Sequence, residues 1–504
     1  MKHLPSALRG FSCRGCGHEE DGNRLPWTCP ECGGKNLVAD YDYSRINKSK
    51  LRGSPPGVWK YGQLLPIPSP AVTLGEGGTP LIRCTKILDL PNLFVKDESR
   101  NPTSSFADRG STVAISAAVM AGATSVVCAT DGDTGASVAA YSAKAGLDCT
   151  IFAPLNAESG KLFQTLVYGA KIMRSPGGLR NSMIKCESAC PKEGCQDLTI
   201  ETCPHALEGE KTNGFEISDQ LGWRSPDFIV VPAGSGTNLA SIWRGCVELR
   251  DSGLVEDLPR MVAIQASACD PITRSFREGG EIQAQGQSNT IAPSIALGDP
   301  LNGQAAIRAL EESRGTAYSF DDGDILRAVG ELGSMEGVFA EPASAATICG
   351  ARMLVDDGTA DRSDTVVCVV TGSGLKVPDS ITEVLKPRLN AAWDLVNLDE
   401  KALGPLGPTK IQLLEILGEE PSYGYSLWRQ LDLRFGERIS LQAIYQHLGE
   451  LREMGLVERA PGSSSRNRGR KRNYFRLTSR GRGVFSSLGS IRDSIIGPGQ
   501  ENGT

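Results

Sequence analysis

Two pairs of cysteines near the start of the chain have the spacing of a metal site. Cys13 and Cys16 form one CxxC pair, and Cys29 and Cys32 form a second after twelve intervening residues. A glycine follows each pair and permits the tight turn that directs both sulfurs to one point, and structural Zn²⁺ takes four such thiolates in a tetrahedron. The spacing predicts a structural zinc ribbon over residues 1–45. Four thiolates leave no open coordination position, so we expect no catalysis at this metal.

A glycine-rich turn in the middle of the chain could hold a phosphate group. The residues that form it, in chain order, are Gly234, Ser235, Gly236, Thr237 and Asn238. They follow the apolar stretch "DFIVVP", which is typical of a buried strand, and they open a helical pattern. Glycines let the backbone come close to a ligand, and the N–H groups at a helix start attract anions. An ordinary glycine turn between a strand and a helix is the alternative.

A cluster of positive charge late in the chain indicates contact with nucleic acid. Nine lysine and arginine residues lie between positions 459 and 482 with no acidic residue among them. The cations expected to contact phosphates are Arg466, Arg468, Arg470, Lys471 and Arg472. The preceding pattern predicts a helix over 439–460, whose groove-facing side chains would be Ser440, Gln442, Tyr445 and Gln446. These features predict binding to double-stranded DNA. A solvated cationic face or a module that pairs proteins is the alternative.

Composition limits the class of protein. A chain of 504 residues is long enough for about three domains. The net charge is −6, but residues 405–504 carry +5, so the remainder carries about −11 and the last segment has a different kind of surface. Fifteen cysteines without an apolar leader indicate a reducing, cytoplasmic location. We find no apolar run long enough to cross a membrane.

The middle of the chain alternates between strand and helix patterns. Apolar runs such as 124–130 and 364–372 read as buried strands, and segments such as 136–147 read as helices between them. This alternation predicts an α/β domain over residues 60–390 with parallel sheets, and ligands in such folds bind at the carboxyl ends of the strands. A linker is predicted over 391–408. A helix, helix, helix and β-wing order predicts a winged helix-turn-helix over 409–490.

Several motifs in order resemble the threonine synthases, members of the fold-type-II pyridoxal phosphate (PLP) family. They read "EGGTPL", "NPTSSFADRG", "DGDTGASVAAYSAKAGL", "LEGEKTNGFEISDQLGW", "VPAGSGTNLASIWRG", "EPASAA" and "TGSGLK". The resemblance implies two parallel-sheet α/β domains and a PLP site. A zinc ribbon also precedes this domain in some members. The segments "YGYSL", "AIYQHLGELREMGLV" and "RNYFRLTSRG" resemble the PadR-type winged helices, which usually form dimers.

The chain departs from the family pattern at positions that carry chemistry. Ala107 stands where the family has the lysine that holds PLP as a Schiff base, and Asp133 stands where an asparagine faces the ring oxygen. Glu201 and Ala206 stand where a serine and an arginine hold the phosphate of O-phosphohomoserine, and Ala296 replaces a basic residue. A methyl group is neither a nucleophile nor a base, so the resemblance implies that catalysis is impaired.

Other positions keep the family's binding groups. Thr371 matches the hydroxyl that faces the pyridine nitrogen, and Thr134 and Ser137 match a turn that holds an amino-acid carboxylate. The glycine-rich turn at 234–238 matches the cradle of the PLP phosphate. The resemblance therefore implies non-covalent binding of PLP, of an amino acid, or of both.

These observations predict a catalytically impaired module for an amino acid or PLP-like ligand, joined to a DNA-binding regulator and forming a homodimer. The rival hypothesis is an active threonine synthase-type lyase, with Ala107 engineered or compensated by another lysine such as Lys96, Lys211 or Lys376. A third hypothesis is a scaffold with an empty pocket.

Four more cysteines, Cys186, Cys190, Cys195 and Cys203, have irregular spacing, which favours buried or free thiols over a second metal or redox site.

Overall fold

The computed structural model describes residues 6–381, apart from 89, 131, 156, 158, 191, 192, 287, 379 and 380, and then residues 407–435, 439–460 and 473–485. The chain divides into two compact units, Met1–Ile381 and Thr382–Thr504, which are called unit 1 and unit 2 below. None of the described helices is both long enough and apolar enough to span a bilayer.

The strands of unit 1 are β1 (Leu8–Cys13), β2 (Glu19–Asp21), β3 (Leu37–Tyr41), β4 (Leu81–Arg83), β5 (Leu93–Asp97), β6 (Ser125–Ala129), β7 (Asp148–Pro154), β8 (Lys171–Ser175), β9 (Cys195–Asp197), β10 (Phe228–Pro232), β11 (Arg260–Ala266), β12 (Thr316–Phe320) and β13 (Val366–Val370). Its helices are α1 (Lys48–Gly53), α2 (Ala107–Met120), α3 (Asp133–Ala145), α4 (Ser159–Val167), α5 (Leu179–Ala189), α6 (Pro204–Glu210), α7 (Thr212–Gln220), α8 (Thr237–Asp251), α9 (Pro271–Glu278), α10 (Gly303–Glu312), α11 (Asp322–Glu336) and α12 (Pro342–Asp356).

Two parallel sheets form the body of unit 1. One has four parallel strands in the order β8-β7-β6-β9. The other has six in the order β12-β11-β10-β13-β5-β4, parallel except for the antiparallel edge strand β4. Strand β13, with the sequence "VVCVV", is buried at every position. A strand covered on both faces needs apolar side chains pointing both ways, so its continuous β-branched run predicts its central place.

The expectation of an α/β fold with parallel sheets is confirmed. Helices pack on both faces of the six-stranded sheet, with α12 in the hydrophobic cluster of one face and α8 and α10 in the cluster of the other. Each fully buried Val, Leu or Ile in these clusters stabilises the fold by about 1.5–3 kcal/mol. The N-terminal strands form a separate antiparallel sheet, β2-β1-β3, whose apolar residues pack with those of α7 and α8.

Unit 2 contains three helices and a small antiparallel sheet. They are α13 (Pro408–Glu419), β14 (Ser422–Tyr423), α14 (Gly424–Phe435), α15 (Leu441–Glu453), β15 (Val457–Ala460) and β16 (Tyr474–Leu477). The sheet has the order β14-β16-β15. Helix, helix, helix and β-wing is the predicted winged-helix order, and apolar side chains of all three helices and of β15 and β16 share one core.

One expectation about unit 2 is wrong. The sequence pattern predicted a single helix over 439–460, but α15 ends at Glu453 and residues 457–460 form strand β15. Gly455 adopts φ 71°, a left-handed conformation that ends helices and that glycine adopts without steric cost. The predicted linker lies outside the described residues over 391–406, as do the five basic residues at 466, 468, 470, 471 and 472.

Candidate functional site

A cavity of about 100 Å³ lies in unit 1 where several helices begin. Its lining includes residues from the starts of α3, α4, α8 and α12 and Thr371, which directly follows β13. This is the carboxyl-end edge of the parallel strands, where the sequence predicts a ligand site. We call it the site cavity. Its lining includes Asp133, Thr134, Thr371 and all five residues of the glycine-rich turn.

The glycine-rich turn approaches a neighbouring backbone segment closely. A Cβ atom at Gly234 would lie 2.1 Å from the carbonyl oxygen of Ser294, so a larger residue cannot replace it without moving the backbone. Gly236 has φ 87°, in the left-handed region, and the next residue opens α8. The N–H groups of a helix start attract an anion. The turn therefore fits a phosphate or carboxylate group.

Asn238 supports this interpretation. Its side chain is only 7% exposed and lines the cavity. Neither the nitrogen nor the oxygen of its amide has a hydrogen-bond partner among the described residues. A buried amide without a partner costs about 1–3 kcal/mol, and a ligand in the cavity would supply one.

Two buried lysines hold Asp133 by ion pairs. The Nζ atom of Lys161 lies 3.1 Å from one carboxylate oxygen of Asp133, and that of Lys376 lies 2.9 Å from the other. Lys161 also lies 3.3 Å from Glu341 and donates a hydrogen bond to Ser294 at 3.1 Å. The two lysines thereby partner two carboxylates of the cavity.

Asp133 is ionised in this environment. Burial alone would raise the pKa of its carboxyl group, but the ammonium groups of Lys161 and Lys376 outweigh burial and lower the pKa to about 2. The pKa of Glu341 is raised, because burial acts more strongly on it than Lys161 does. An ionised aspartate accepts hydrogen bonds only, so Asp133 would repel the ring oxygen of PLP unless its charge were paired. In the structure its negative charge is neutralised by the lysines.

Two further acidic residues, Glu201 and Glu210, belong to the lining of the site cavity. Both line it, and Glu210 is only 1% exposed. One carboxylate oxygen of Glu210 has no hydrogen-bond partner among the described residues. Burial and the charge of Glu201 raise the pKa of Glu210 to about 8. The amide of Asn302 donates hydrogen bonds to both the backbone oxygen of Glu201 and the hydroxyl of Thr237, so Glu201 lies beside the start of α8.

Thr371 has hydrogen-bond partners within the protein. Its hydroxyl lies 2.7 Å from the hydroxyl of Ser344 and donates to Glu341 at 3.3 Å. Both partners belong to the start of the α12 segment, so the position of Thr371 is fixed by α12. A hydroxyl can donate to a ring nitrogen without carrying charge.

Two predicted residues lie elsewhere. Ser137 does not line the site cavity, and its hydroxyl bonds to the carboxylate of Asp108 and the hydroxyl of Ser111. Helix α3 packs against α2, so a residue one turn into α3 meets α2 instead of the cavity. Ala107 opens α2 and is 1% exposed, next to Phe106, which does line the cavity.

The three lysines that the rival hypothesis offers as an anchor for PLP have different surroundings. Lys96 pairs with Glu216 at 2.7 Å, and Lys211 pairs with Glu248 at 2.7 Å, so both belong to buried ion pairs outside the cavity lining. Lys376 pairs with Asp133 as described above. Lys161 was not among the site residues expected from the sequence. A lysine at the third position of a helix that follows a parallel strand is nevertheless placed to face the carboxyl ends of the strands.

The four ribbon cysteines converge. The Sγ atoms of Cys13 and Cys32 are 3.7 Å apart, and those of Cys16 and Cys29 are 3.6 Å apart. All four lie within 4.8 Å of one another. A tetrahedral site with Zn–S bonds of about 2.3 Å requires sulfurs about 3.8 Å apart, so the cluster fits a structural zinc ion. In the described residues no other group of histidine, cysteine and acidic side chains converges in this way.

Replacing Cys13 with serine is expected to reduce the bound zinc from one ion per chain to nearly none and to lower the melting temperature. The ribbon residues Phe11 and Leu37 pack with Phe215 and Leu249 of α7 and α8, so a ribbon that loses its metal exposes an apolar face of unit 1. Metal analysis and thermal unfolding measure both effects. Cys190→Ser, a half-buried cysteine outside the cluster, should change neither. Retention of a full zinc ion by the Cys13 variant would contradict this assignment.

The predicted groove-reading residues of unit 2 lie on α15. Gln442, Tyr445 and Gln446 are exposed, and Ser440 caps the helix by accepting a hydrogen bond from the N–H of Ala443. The opposite face of α15, with Ile444 and other apolar residues, is buried in the core of the unit. The helix therefore offers a polar surface for contact with a partner.

Comparison with known proteins identifies both units. A sequence model of the family described as "Pyridoxal-phosphate dependent enzyme" matches residues 72–372, and one of the "Transcriptional regulator PadR-like family" matches residues 413–487. The chain is 39% identical to a threonine synthase of Methanosarcina acetivorans over 380 residues, 74% of this chain and 94% of that protein. It is 40% identical to a threonine synthase of Methanocaldococcus jannaschii over 394 residues, 76% of this chain and 96% of that protein.

Solved structures support the fold. Maize serine racemase superposes with a TM-score of 0.52 at 21% identity, covering 62% of this chain and 93% of that one. A fungal L-serine ammonia-lyase from Rhizomucor miehei gives 0.52 at 20% identity, covering 61% of this chain and 97% of that one. At these identities the likeness concerns the fold alone.

Proposed function

We propose a function from the premise that this chain belongs to the pyridoxal-phosphate dependent enzyme family, with a threonine synthase-like domain fused to a PadR-like regulator domain. The threonine synthase-like domain is a ligand-binding module that does not catalyse the family's reactions. Its ligand biases the affinity of the PadR-like domain for double-stranded DNA. The proposal depends on Ala107, a buried residue next to Phe106 of the cavity lining. Its place in the motif "NPTSSFADRG" matches, by resemblance, the position of the family's lysine.

The residues present fit PLP in part. The turn at 234–238 and the start of α8 would hold its phosphate, and Thr371 would face its ring nitrogen. When bound, PLP supplies an electron sink for carbanions next to an amino group. Ala107 offers no amine for covalent attachment and no base to accept a proton from the α-carbon. The buried ammonium of Lys161 is held by Asp133 and Glu341, and a protonated amine has no lone pair with which to attack a carbonyl.

Coupling between ligand and DNA requires only a modest free energy. A ligand that binds one conformation of the protein better than another shifts DNA affinity by its differential binding energy. Coupling free energies of about 1–3 kcal/mol correspond to changes of about 5–150-fold in affinity. Unit 2 supports DNA as the partner through the exposed polar face of α15 and the basic stretch that follows it in sequence.

The experiment uses the full-length protein. DNA fragments that it retains are selected from a random pool, and their dissociation constants are measured with and without each of the proteinogenic amino acids and PLP. The proposal predicts that at least one of these compounds changes DNA affinity by about fivefold or more. DNA binding that is insensitive to all of them, or turnover of O-phosphohomoserine to threonine, would overturn it.

Replacing Lys471 and Arg472 together with alanine is expected to weaken binding to all DNA sequences alike. Each lost phosphate contact should reduce the slope of log affinity against log salt by about one. Titrations at several salt concentrations measure that slope. The double variant Lys171→Ala and Arg174→Ala removes one exposed lysine and one exposed arginine from unit 1, and it should bind DNA like the unmodified protein. Equal slopes for the two double variants would contradict a role for the basic stretch.

The rival function, an active lyase, is favoured by one observation, the amine of Lys161 in the lining of the site cavity. The proposal predicts that PLP added to the protein is removed by dialysis, and that borohydride reduction attaches no PLP to Lys161 or Lys376. Mass spectrometry of the digested protein locates any label. Stoichiometric label at Lys161 that disappears in Lys161→Ala but persists in Lys144→Ala would establish the rival.

A further inference from the structure

One polar side chain on the exposed face of α15 is held in a fixed orientation. Gln446 lies in the second turn of this helix and is exposed, while Ile444 and Leu448 are buried in the core of unit 2. The side-chain nitrogen of Gln446 donates a hydrogen bond to Glu450 at 3.1 Å. The other carboxylate oxygen of Glu450 pairs with Lys410 of α13 at 2.7 Å. A hydrogen bond between residues four apart on a helix restricts the rotamers of the glutamine.

The charge of Glu450 decides which end of the amide faces it. Hydrogen bonds from Lys410 and Gln446 outweigh burial and lower the pKa of Glu450, so its carboxyl group is ionised at neutral pH. An ionised carboxylate only accepts hydrogen bonds, so the nitrogen of the amide faces it and the oxygen does not. A glutamine amide has two N–H donors, and Glu450 takes one of them. One N–H donor and the oxygen acceptor remain for a partner outside the protein.

A donor beside an acceptor matches one base in the major groove of DNA. Adenine presents there the acceptor N7 next to the donor N6–H₂. Guanine presents two acceptors, N7 and O6, which need two donors, and Gln446 has one left. Cytosine presents a single donor and thymine a single acceptor. Adenine is therefore the base that satisfies both remaining groups of Gln446.

The rest of the α15 surface agrees with this choice. Guanine is most often read by arginine or lysine, and neither occurs in α15 before Arg452. Leu441 opens the helix and is 39% exposed, and an apolar side chain there suits the methyl group of thymine. Gln442 is exposed one turn before Gln446 on the same face. Residues 405–504 carry a net charge of +5, which attracts the phosphates of DNA to this unit.

Resting on the proposed binding of double-stranded DNA, we propose that Gln446 selects the base sequence by reading one adenine in the major groove, and that Glu450 and Lys410 position its amide. The amide nitrogen donates to N7 of the adenine, and the amide oxygen accepts from N6–H. Loss of Glu450 releases the second N–H, and the amide can then present two donors to guanine. Glu450 thus acts on specificity through Gln446 and without contacting DNA.

Base substitutions in a selected DNA fragment test the role of Gln446. A fragment that the full-length protein retains from a random pool is varied at each base pair in turn, and the dissociation constants are measured. At one position of each bound site, replacing A·T with G·C should weaken binding by about 5–150-fold. Gln446→Ala should remove that preference and leave the other preferences and the salt dependence unchanged. Gln446→Arg should prefer guanine at this position, because arginine supplies two donors. Unchanged base preferences in both variants would overturn the proposal.

A matched pair of variants separates positioning from charge. Glu450→Ala and Glu453→Ala each remove one acidic side chain from α15, so both change the general attraction to DNA, but it is Glu450 that bonds to Gln446. Glu450→Ala should reduce the discrimination between adenine and guanine at the Gln446 position by about fivefold or more, which corresponds to one hydrogen bond. Glu453→Ala should leave that discrimination unchanged. Equal discrimination in the two variants would overturn the role given to Glu450.

DNA affinity measured with and without ligands separates this inference from the function on which it rests. If Gln446 sets the base preference and neither PLP nor any amino acid changes DNA affinity, the reading of adenine stands and the regulatory function fails. If a ligand changes DNA affinity and Gln446→Ala keeps every base preference, the function stands and the reading of adenine fails. If the protein retains no DNA fragment, both fail.

Discussion

Replacing Arg109 with methionine is expected to reduce the free energy of unfolding of unit 1 by about 3–5 kcal/mol. The guanidinium is completely buried and pairs with Glu98 at 2.6 Å and with Glu216 at 2.9 Å. Lys96, also buried, lies 2.7 Å from Glu216. The charges of these four side chains sum to zero. Methionine leaves two buried carboxylates with a single cation, and one negative charge then has no partner.

The pKa shifts follow from the same geometry. Burial would raise the pKa of Glu216, but Arg109 and Lys96 outweigh burial and lower the pKa to about 2. Arg109 also outweighs the burial of Glu98 and lowers its pKa. Both carboxylates are therefore ionised at neutral pH, and they depend on the two cations to remain so.

A second substitution distinguishes loss of charge balance from loss of packing. The double variant Arg109→Met and Glu98→Gln restores a net charge of zero, with Lys96 and Glu216 as the remaining pair. It is expected to recover part of the stability that the single variant loses. Chemical denaturation of the full chain, compared among the three proteins, measures the recovery. A double variant less stable than the single one would contradict the explanation by charge balance.

Arg180→Met provides the control. Arg180 also pairs with an acidic side chain, Asp299, but both partners are largely exposed to solvent. Exposed pairs contribute about 0–1 kcal/mol, because water screens the attraction and the side chains lose freedom in forming it. A loss of stability in Arg180→Met equal to that in Arg109→Met would show that the burial of Arg109 is not the cause.

Local patterns predicted much of the fold. The apolar run at 366–370 predicts a central strand because only a strand covered on both faces tolerates side chains that are apolar in both directions. The CxxC spacing predicts convergence of four sulfurs because each pair brings its own turn. Ser440 predicts the start of α15, since it accepts the hydrogen bond of an N–H that the helix leaves unpaired. Each of these inferences needs only residues that are neighbours in sequence.

The site required information that the sequence does not contain locally. Lys161 lies 28 positions from Asp133 and 180 from Glu341, and no periodicity connects them. Ser137 belongs to the same motif as Thr134, yet the packing of α3 on α2 directs its hydroxyl to Asp108. The end of α15 was also missed, because a glycine in a helical pattern ends the helix only when its backbone adopts a left-handed conformation. Long-range packing decided the first two, and the backbone conformation of Gly455 decided the third.

Replacing Glu210 with glutamine is expected to stabilise unit 1, by about 1–3 kcal/mol at pH 8. Burial and the charge of Glu201 raise the pKa of Glu210 from 4.5 to about 8 in the folded protein. The folded state therefore keeps a proton that the unfolded chain has lost between pH 4.5 and 8. Stability contributed by this group is present below pH 4.5 and is lost progressively as the pH rises to 8. A shift of this size sets an upper limit of about 5 kcal/mol at 1.36 kcal/mol per pKa unit.

Glutamine cannot ionise, so the gain in the Glu210→Gln variant should appear as the pH rises from 4.5 to 8 and remain constant above that. Glu208→Gln, two residues earlier on α6, should have the opposite effect, because Glu208 is paired with Arg244 at 2.6 Å and accepts a hydrogen bond from Tyr41 at 2.7 Å. Its pKa is lowered, because the charges of Arg244 and Lys211 and the hydrogen bond from Tyr41 outweigh burial. Thermal unfolding across this pH range measures both variants.

Glu208 and Glu210 differ in whether the fold provides a cation for the buried carboxyl group. A buried carboxylate that already has its cations stabilises the fold, and removing it should cost stability. A buried carboxylate that lacks one destabilises the fold, and a natural protein retains such a group where a ligand uses it. If Glu210→Gln proves more stable as the pH rises, the unmodified protein contains a buried acid whose charge its own side chains do not compensate. A Glu210→Gln variant that is less stable at pH 8 would show that Glu210 has a partner in the folded protein and that its pKa is not raised.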